Sequence, residues 1–365
     1  MTAPAPASVL RPENEDELVD AVRSVRRVIA TGGLTKPRLS AVNATVLSTL
    51  SISGIVAYEP DEFTFTARAG TRVRELVDTL ATKGQHLPFD PMFVLAGATI
   101  GGTVAAGLSG AGRLRFGGVR DFILGVRFVD GGGRLLRMGG KVVKNAAGFD
   151  VPKLLVGSLG RLGVLAEVTF KVFPAAQATR SLEFPVPDDE SAVRMLQEIP
   201  LGRWEPRALE FDPDNRHVYL QLGGPDRALK PICRELLARW SGRVLDDADA
   251  RALWTELREC TWAHADGSLL KAVFETRRLP ELNSLRHVAP GSRWRITSAG
   301  DVAMISLPRD ADGTAVGAML HDRGLSALTL RGKGPLRPGV KTNHEIENAV
   351  KLAMDQSSRF PGIDE

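Results

Sequence analysis

The sequence is short of the residues that build disulfide frameworks, zinc sites and nucleic-acid interfaces. Only two of its 365 residues are cysteines, Cys233 and Cys260, and they lie far apart in the sequence. Aromatic residues make up 6% of the chain, and its 47 lysines and arginines are almost balanced by 43 acidic residues. Nucleic-acid binders usually cluster basic residues with stacking aromatic ones. We therefore expect no disulfide, no metal site and no nucleic-acid partner.

Long hydrophobic runs are also lacking. The N-terminal segment has no basic stretch followed by an apolar one, so it does not resemble a signal peptide. The least polar stretch, residues 94–112, is long enough to span a membrane, but about a third of it is glycine and it also contains threonine and serine. We expect no transmembrane segment and a cytoplasmic location.

Two common phosphate-binding motifs are missing as well. No G-x-G-x-x-G follows the first predicted strand, and no G-x-x-x-x-G-K-[ST] occurs. The nearest approaches are GGK at 139–141, which continues with valine, and GVKT at 339–342, which lacks the second glycine. Neither a Rossmann fold nor a P-loop is expected.

The spacing of apolar residues predicts an α+β chain, in which no internal repeat is evident. An amphipathic helix over 12–26, acidic in its first turns, precedes a strand over 28–30 and a glycine-rich turn. Thr71 is expected to cap the next helix. The further elements predicted before Pro174 are strands over 45–50, 54–58, 63–68, 124–129, 134–138 and 163–173, and helices over 73–82 and 149–155.

After Pro174 the chain becomes less dense in glycine, and we expect a domain boundary there. The predicted elements are strands over 181–186, 207–211 and 217–222 and helices over 189–198 and 226–240. This order is compatible with a ferredoxin-like sheet that carries helices on one face. The expected division is 1–175, 176–340 and 341–365, the last part holding a helix over 345–355.

Glycine is abundant and unevenly distributed. The 37 glycines concentrate at 32–33, 97–118, 139–148 and 157–163. Because glycine has no side chain, the backbone at such turns can approach a ligand closely and donate its N–H groups to phosphate oxygens or ring carbonyls. One such cluster is ordinary for a turn between strands. Four clusters within one domain favour a ligand site.

Four segments, in order, resemble the FAD-binding domain of the vanillyl-alcohol oxidase or p-cresol methylhydroxylase (PCMH) type. They are ATGGLTK at 30–36, ARAGTRVRELVDTLATKGQHLPFDP at 67–91, the glycine-rich stretch at 97–140 and KNAAGFDVPKLLVGSLGRLGVLAEVTFKVFP at 144–174. Within that family, VRDFILG, KNAAGFDVPKLLVGS and LGVLAEVTFKVFP are most similar to the FAD-binding subunit of glycolate oxidase. The resemblance implies a two-subdomain PCMH-type FAD-binding domain, followed here by a smaller α+β domain.

The resemblance also implies which residues hold FAD. Backbone donors of the loop after the first strand would bind the diphosphate, helped by Lys36, and further residues would line the flavin or the adenosine. Some of these residues have alternative roles. Lys36 could be a solvated loop lysine, and Asp121 could form a salt link to Arg120. Lys144 and Asn145 could either lie near the flavin ring or have a capping role. The implied cofactor-binding residues are Gly32, Gly33, Leu34, Thr35, Lys36, Thr99, Gly101, Gly102, Thr103, Gly107, Asp121, Gly163 and Val164.

Covalent attachment of the flavin is not expected. Many relatives carry a histidine in the first loop that bonds to the flavin ring, whereas GGLTKPRLS at 32–40 contains neither histidine nor cysteine. We therefore expect noncovalent FAD. Ser40 stands where relatives commonly have glycine, so the loop is expected to follow a slightly different path.

The sequence identifies catalytic residues less clearly. Oxidation of a 2-hydroxy acid needs a cation for the carboxylate, a base for the hydroxyl proton and flavin N5 as hydride acceptor. Arg207 and Arg295 are candidates for the cation, each weighed against an ordinary surface arginine. The histidines show no paired spacing.

The resemblance implies an FAD-dependent oxidoreductase subunit. It would take part in oxidising glycolate to glyoxylate by hydride transfer to flavin N5, together with a related catalytic flavoprotein subunit and an iron–sulfur subunit. Two alternatives remain open. One is a self-sufficient FAD-dependent oxidase or dehydrogenase for a hydroxy acid or alcohol, and the other is a noncatalytic flavoprotein scaffold.

Overall fold

The structure is a computed structural model that describes residues 9–140, 149–341 and 343–365. Over these residues the chain forms two units. The first comprises Met1–Leu108, Gly118–Pro174 and Thr342–Glu365, and the second comprises Ser109–Gly117 and Ala175–Lys341. The glycine-rich segment 109–117 therefore groups with the second unit, and the closing segment groups with the first. The sequence pattern predicted neither assignment.

The helices and strands alternate irregularly along the chain, as expected for the α+β class. Among the described residues the helices are α1 (Glu15–Ser24), α2 (Val73–Ala81), α3 (Ile100–Ala106), α4 (Arg113–Phe116), α5 (Val119–Phe122), α6 (Val151–Leu155), α7 (Asp189–Leu201), α8 (Asp226–Arg239), α9 (Asp247–Glu259), α10 (Leu285–Val288), α11 (Gly313–Asp322) and α12 (His344–Met354). The strands are β1 (Val28–Thr31), β2 (Thr45–Ser48), β3 (Ile55–Glu59), β4 (Thr64–Arg68), β5 (Gln85–His86), β6 (Ile123–Val129), β7 (Leu135–Gly139), β8 (Val164–Lys171), β9 (Phe173–Pro174), β10 (Ala178–Pro185), β11 (Ala208–Asp212), β12 (His217–Gly224), β13 (Arg243–Val244), β14 (Ser268–Val273), β15 (Arg293–Thr297), β16 (Val302–Leu307) and β17 (Ser326–Arg331).

In the first unit, an antiparallel five-stranded sheet runs in the order β3-β4-β8-β6-β7, and β1 pairs with β2 in parallel. Helix α1 begins where Asn14 accepts a hydrogen bond from the Glu17 N–H at 2.9 Å. Its apolar face places Leu18 and Val22 in a core that also contains Phe360 from the closing segment. The closing segment is thus part of the hydrophobic core of this unit.

The predicted cap of α2 was wrong. The helix begins after Arg72, which makes no side-chain capping bond. The Thr71 hydroxyl instead donates to the Arg68 carbonyl at 2.7 Å and accepts the Gly54 N–H at 2.9 Å. The threonine therefore fixes the turn between β4 and the helix, because its oxygen satisfies backbone groups outside the helix.

In the second unit, an antiparallel eight-stranded sheet runs in the order β13-β10-β12-β11-β15-β16-β14-β17. If the strands of each half are numbered 1 to 4 along the chain, β10 to β13 lie side by side in the order 4-1-3-2. Strands β14 to β17 show the same order when the sheet is followed from its other edge. Each half is therefore a ferredoxin-like arrangement. Strands β11 and β15 join the halves through the pair Phe211 and Ile296. The predicted ferredoxin-like order thus occurs twice, although the sequence showed no repeat.

One face of this sheet is apolar. Residues such as Leu182, Leu220, Leu270 and Ile305 alternate along their strands into a single core with apolar residues of α7, α8 and α11. Side chains on the other face are largely polar. No helix among the described residues combines the length and apolarity needed to cross a bilayer.

Candidate functional site

A cleft lies within the first unit. It is bounded by the end of β1 with the loop that follows it, by α3, and by the loop that leads into β8. These are three of the glycine-rich segments that the sequence singled out. The chain brings them together because β1, α3 and β8 pack in one unit.

The loop after β1 presents a row of open backbone donors. Among the described residues, no group accepts a hydrogen bond from the N–H of Gly32, Gly33, Leu34 or Thr35. Leu34 has a φ of 51°, in the left-handed region that is uncommon for leucine. Consecutive open donors at such a turn form an anion-binding concavity. The loop is therefore built to receive an anion.

Lys36 adds a positive charge to the same loop. Its side chain is only 9% exposed, and its ammonium group donates to the Thr35 hydroxyl at 2.9 Å and lies 5.4 Å from the centre of the Phe93 ring. Within the described part of the chain it forms no ion pair with a carboxylate. Burial lowers the pKa of Lys36 to about 8. A bound anion would raise this pKa again by stabilising the charged form. Because the side chain is buried, the solvated-lysine interpretation does not apply.

The opposite wall of the cleft starts at the N-terminus of α3, where the Thr99 hydroxyl accepts the Gly102 N–H at 3.2 Å. The Gly101 N–H is also satisfied, by the Ala69 carbonyl at 2.9 Å. Both glycines are therefore without a free amide for a ligand. Gly33 packs so closely that a Cβ there would lie 1.9 Å from the Gly97 carbonyl oxygen. At this position glycine is required by the packing of the two loops.

The structure brings nine of the predicted cofactor-binding residues together on the lining of this cleft. They are Gly32, Gly33, Leu34, Thr35, Lys36, Thr99, Gly101, Gly102 and Gly163.

Four other predicted residues do not line it. The Thr103 hydroxyl donates to the Thr99 carbonyl at 3.0 Å, and Gly107 ends α3 with a φ of 62°. The Asp121 carboxylate accepts the Gly118 N–H at 2.7 Å, so it caps α5, and Val164 is fully buried in the core. Thr103, Gly107 and Val164 therefore belong to α3 and β8, which border the cleft, whereas α5 contributes no residue to its lining. Lys144 and Asn145 lie outside the described residues.

Sequence reasoning missed more than half of the cleft lining. The additional residues are Ala30, Thr31, Leu39, Ser40, Thr49, Ala69, Ala105, Ala106, Ser158, Leu159, Gly160 and Leu165. Most are small or apolar and carry no chemical signature. Gly160 lay in a recognised glycine cluster, and Ser40 had been marked as a departure from the family pattern, so these two positions did carry a signal.

The two arginines proposed as carboxylate clamps belong to the second unit, and neither is a lining residue of this cleft. Arg295 is buried and pairs with Asp212 at 2.9 Å and Asp214 at 3.4 Å. Its guanidinium also lies 4.8 Å from the Trp262 ring centre. Because two carboxylates already occupy it, a structural role is favoured over a substrate clamp. Arg207 lies 5.8 Å from the ring centre of Phe116.

A cation that the sequence did not indicate lies on β14. Lys271 is opposite Met304 and Leu328 on the neighbouring strands, and its neighbours Leu270 and Ala272 face the core, so the lysine faces the other side of the sheet. It forms no ion pair with a carboxylate among the described residues. Burial, with a smaller contribution from the charge of Arg113, lowers the pKa of Lys271 to about 8. No group of three or more metal-ligating side chains occurs in the described ranges.

Comparison with known families identifies the first part of the chain. Residues 6–139 match the family described as FAD binding domain. The chain contains an FAD-binding domain. The open N–H groups after β1 and the buried ammonium of Lys36 are groups that can bind the diphosphate of such a cofactor.

The FAD-binding domain and the region after it are similar to several curated oxidoreductases. Glycolate oxidase subunit GlcE of Escherichia coli is 36% identical over 259 residues, which is 70% of this chain and 63% of the relative. Glycolate oxidase subunit GlcD of Bacillus subtilis is 28% identical over 56% of this chain and 45% of the relative. D-lactate dehydrogenase of Archaeoglobus fulgidus is 30% identical over 56% of this chain and 46% of the relative. The chain thus spans about half to two thirds of the length of these relatives.

Solved structures confirm the fold. Alkyldihydroxyacetonephosphate synthase superposes with a TM-score of 0.70 at 14% identity, covering 96% of this chain and 76% of that protein. The predicted α+β class with a PCMH-type FAD-binding domain is therefore confirmed, as are FAD as cofactor and the relationship to glycolate oxidase subunits.

Proposed function

We propose that this chain is an FAD-dependent oxidoreductase subunit that takes part in the oxidation of a 2-hydroxy acid, with glycolate to glyoxylate as the reaction. The observation that carries the proposal is the cleft of the FAD-binding domain, where four consecutive open amides meet the unpaired ammonium of Lys36. The similarity to glycolate oxidase subunits and D-lactate dehydrogenases supports the substrate class.

The proposed role of the first unit is to hold FAD noncovalently. The amides of Gly32 to Thr35 and the ammonium of Lys36 would bind the diphosphate. No histidine or cysteine occurs among the lining residues of the described cleft, and this supports noncovalent attachment. Bound FAD would supply the hydride acceptor for the Cα–H of the hydroxy acid.

The proposed role of the second unit is to bind the substrate carboxylate. Lys271 is the candidate, because a half-buried ammonium without a carboxylate partner gains a favourable ion pair when it binds one. The nearby positive charge of Arg113 adds to the attraction for an anion. Arg295 is less suited, since it is already engaged by Asp212 and Asp214.

The proposed partners are a related catalytic flavoprotein subunit and an iron–sulfur subunit. Relatives named as GlcE and GlcD support a multi-subunit enzyme. A second candidate function is a self-sufficient oxidase or dehydrogenase. One observation favours it, because this chain itself contains Lys271 as a cation that could bind the substrate carboxylate. Under that alternative, the isolated chain would oxidise substrate without partners.

An absorption spectrum of the purified chain, taken before and after acid precipitation, tests the cofactor assignment. We expect a yellow protein that releases all its flavin into the supernatant. A colourless protein that FAD does not reconstitute would refute the proposed function. Flavin that stays with the precipitate would refute noncovalent attachment.

Anaerobic addition of glycolate, and separately of D-lactate, then tests the chemistry. The subunit proposal expects the isolated chain to stay oxidised and the flavin to bleach only after the partner subunits are added. Bleaching of the isolated chain within seconds would favour the self-sufficient enzyme. An unchanged spectrum with partners present and both acids in excess would refute both.

A further inference from the structure

A buried arginine lies directly behind the FAD cleft. Arg161 is 1% exposed, although arginine is almost never fully buried unless it is paired. One guanidinium nitrogen donates to the Leu39 carbonyl at 2.6 Å and to the Leu159 carbonyl at 2.5 Å. A second nitrogen donates to the backbone oxygen of Glu365 at 2.5 Å. One side chain therefore joins three segments that are distant in sequence.

Two of these segments form the wall of the cleft. Leu39 and Leu159 both line it, and the Leu39 N–H donates to the Lys36 carbonyl at 3.1 Å. Leu159 has a φ of 55°, and its N–H donates to the carbonyl of Ala105, another lining residue, at 2.8 Å. Arg161 thus holds the loop that carries Lys36 against the loop that leads into β8.

The third segment is the closing stretch 355–365, which docks on the same unit through buried polar contacts. Lys351 donates to the Arg161 carbonyl at 2.8 Å and to the Phe360 carbonyl at 3.1 Å, and it pairs with the buried Asp355. Phe360 itself is 2% exposed. Arg27 pairs with the Glu365 carboxylate at the far side of the stretch.

We propose that Arg161 is a positioning residue that couples docking of the stretch 355–365 to the shape of the FAD cleft. When Glu365 is in place, the guanidinium is held in the plane in which it also binds Leu39 and Leu159. When the stretch is undocked, one nitrogen loses its acceptor and the buried cation is under-satisfied. The loop of Lys36 then loses a fixed support, and FAD binds a less ordered site. By linkage, FAD binding must in turn stabilise the docked stretch.

Arginine is required for this role. Its planar guanidinium presents donors in fixed directions, whereas a lysine ammonium is a compact point charge on a flexible stem. Arg161→Lys keeps the charge and most of the volume, so it tests the bridging geometry. Arg27→Gln loosens Glu365 from the exposed side and touches no residue of the cleft lining. Arg74→Lys, in the exposed pair of Arg74 with Asp78, is the matched control.

The experiment is a double-mutant cycle in FAD affinity, measured by quenching of flavin fluorescence, and it rests on the proposed FAD cleft. We expect Arg161→Lys to weaken FAD binding about tenfold. Arg27→Gln should weaken it about fivefold in the wild-type background but leave it nearly unchanged beside Arg161→Lys. Arg74→Lys should have no effect. If Arg161→Lys fails to fold, the FAD affinity of Arg27→Gln alone tests the proposal. An affinity equal to that of the wild type would overturn the coupling.

Hydrogen exchange of peptides from 355–365 supplies a readout that a merely structural arginine would not alter. FAD should slow their exchange in the wild type and not in Arg161→Lys. The inference would be overturned if the two substitutions had additive effects on FAD affinity, or if FAD did not change the exchange of these peptides in the wild type. Either result would leave the FAD site intact. A wild-type chain that binds no FAD would overturn the proposed function together with the coupling.

Discussion

Replacing Lys36 with methionine should stabilise the flavin-free protein while weakening FAD binding. The side chain is 9% exposed and has no carboxylate partner in the described structure, so its charge is costly to bury. Lowering the pKa from 10.5 to about 8 corresponds to about 3 kcal/mol near pH 7 and about 1 kcal/mol near pH 9.5. The sign follows from proton binding. Between pH 8 and 10.5 the unfolded chain holds more protons at this lysine than the folded one, so stability rises with pH across that window.

Methionine keeps the length of the side chain but loses the hydrogen bond to Thr35 and the contact of the cation with Phe93, which together contribute about 1 kcal/mol. The expected net gain in free energy of unfolding is therefore about 2 kcal/mol near pH 7, falling to about zero near pH 9.5. Loss of a charge-assisted contact with the diphosphate should weaken FAD binding about 10- to 100-fold. Lys83→Met, at an exposed lysine of the same unit, should change neither quantity.

The measurement must report on the first unit alone. All five tryptophans lie between residues 204 and 294, in the second unit, so their fluorescence follows the unfolding of that unit only. Urea unfolding of the first unit is best followed by hydrogen exchange of peptides from β4 and β8, with tryptophan fluorescence as the internal control. A variant that is less stable than the wild type near pH 7, or a stability difference that does not change with pH, would refute a buried unpaired ammonium.

Three further substitutions test the remaining assignments. Gly33→Ala should lower the free energy of unfolding by about 1–3 kcal/mol and lower the flavin content, because its Cβ would lie 1.9 Å from the Gly97 carbonyl oxygen. Gly140→Ala, at a position with open space around it, should leave both quantities nearly unchanged. With the partner subunits present, Lys271→Met should slow substrate-dependent flavin reduction by at least about tenfold without lowering the urea midpoint seen by tryptophan fluorescence. Arg295→Met should lower the free energy of unfolding followed by tryptophan fluorescence by about 3 kcal/mol, since it leaves Asp212 buried without its cationic partner. An unchanged rate of flavin reduction in the same assay would show that Arg295 is not a substrate clamp.

Part of the cleft lining could be predicted from the sequence, because the family resemblance named the residues and the glycine pattern around them is local. The loop from Gly32 to Lys36 carries its donors on consecutive residues, so the glycine pattern and the turn geometry are visible in a short stretch. The rest of the lining came from Leu39, Leu159 and several alanines. These residues reach the cleft only through packing of β1 and α3 against the loop before β8, and no periodicity marks them.

The fold of the second unit was harder to predict, because its second half lacks a regular pattern. The elements from 181 to 240 follow clear periodic patterns, and the first ferredoxin-like half was expected. The second half uses a long 3₁₀ segment, Thr276–Ser284, and the short α10 where the first half uses α7. A hydrophobic pattern that changes its period hides the repeat. Lys271 was missed because only the pairing of β14 with β16 and β17 shows that it lies half-buried between Met304 and Leu328.

The open amides and Lys36 also imply that FAD contributes to the stability of the first unit. The buried Lys36 ammonium, which has no carboxylate partner among the described residues, is destabilising when the site is empty, and a bound diphosphate removes that penalty. At a free FAD concentration about 100 times the dissociation constant, stabilisation of the native state should reach about 2.7 kcal/mol. In Lys36→Met the same excess of FAD over its own, weaker dissociation constant should give the same increment, because linkage depends only on that ratio. At equal total FAD the variant should gain less than the wild type. If FAD left the exchange of β4 and β8 unchanged in the wild type, ligand binding would not be linked to this cleft, and the anion-binding interpretation of the loop after β1 would have to be abandoned.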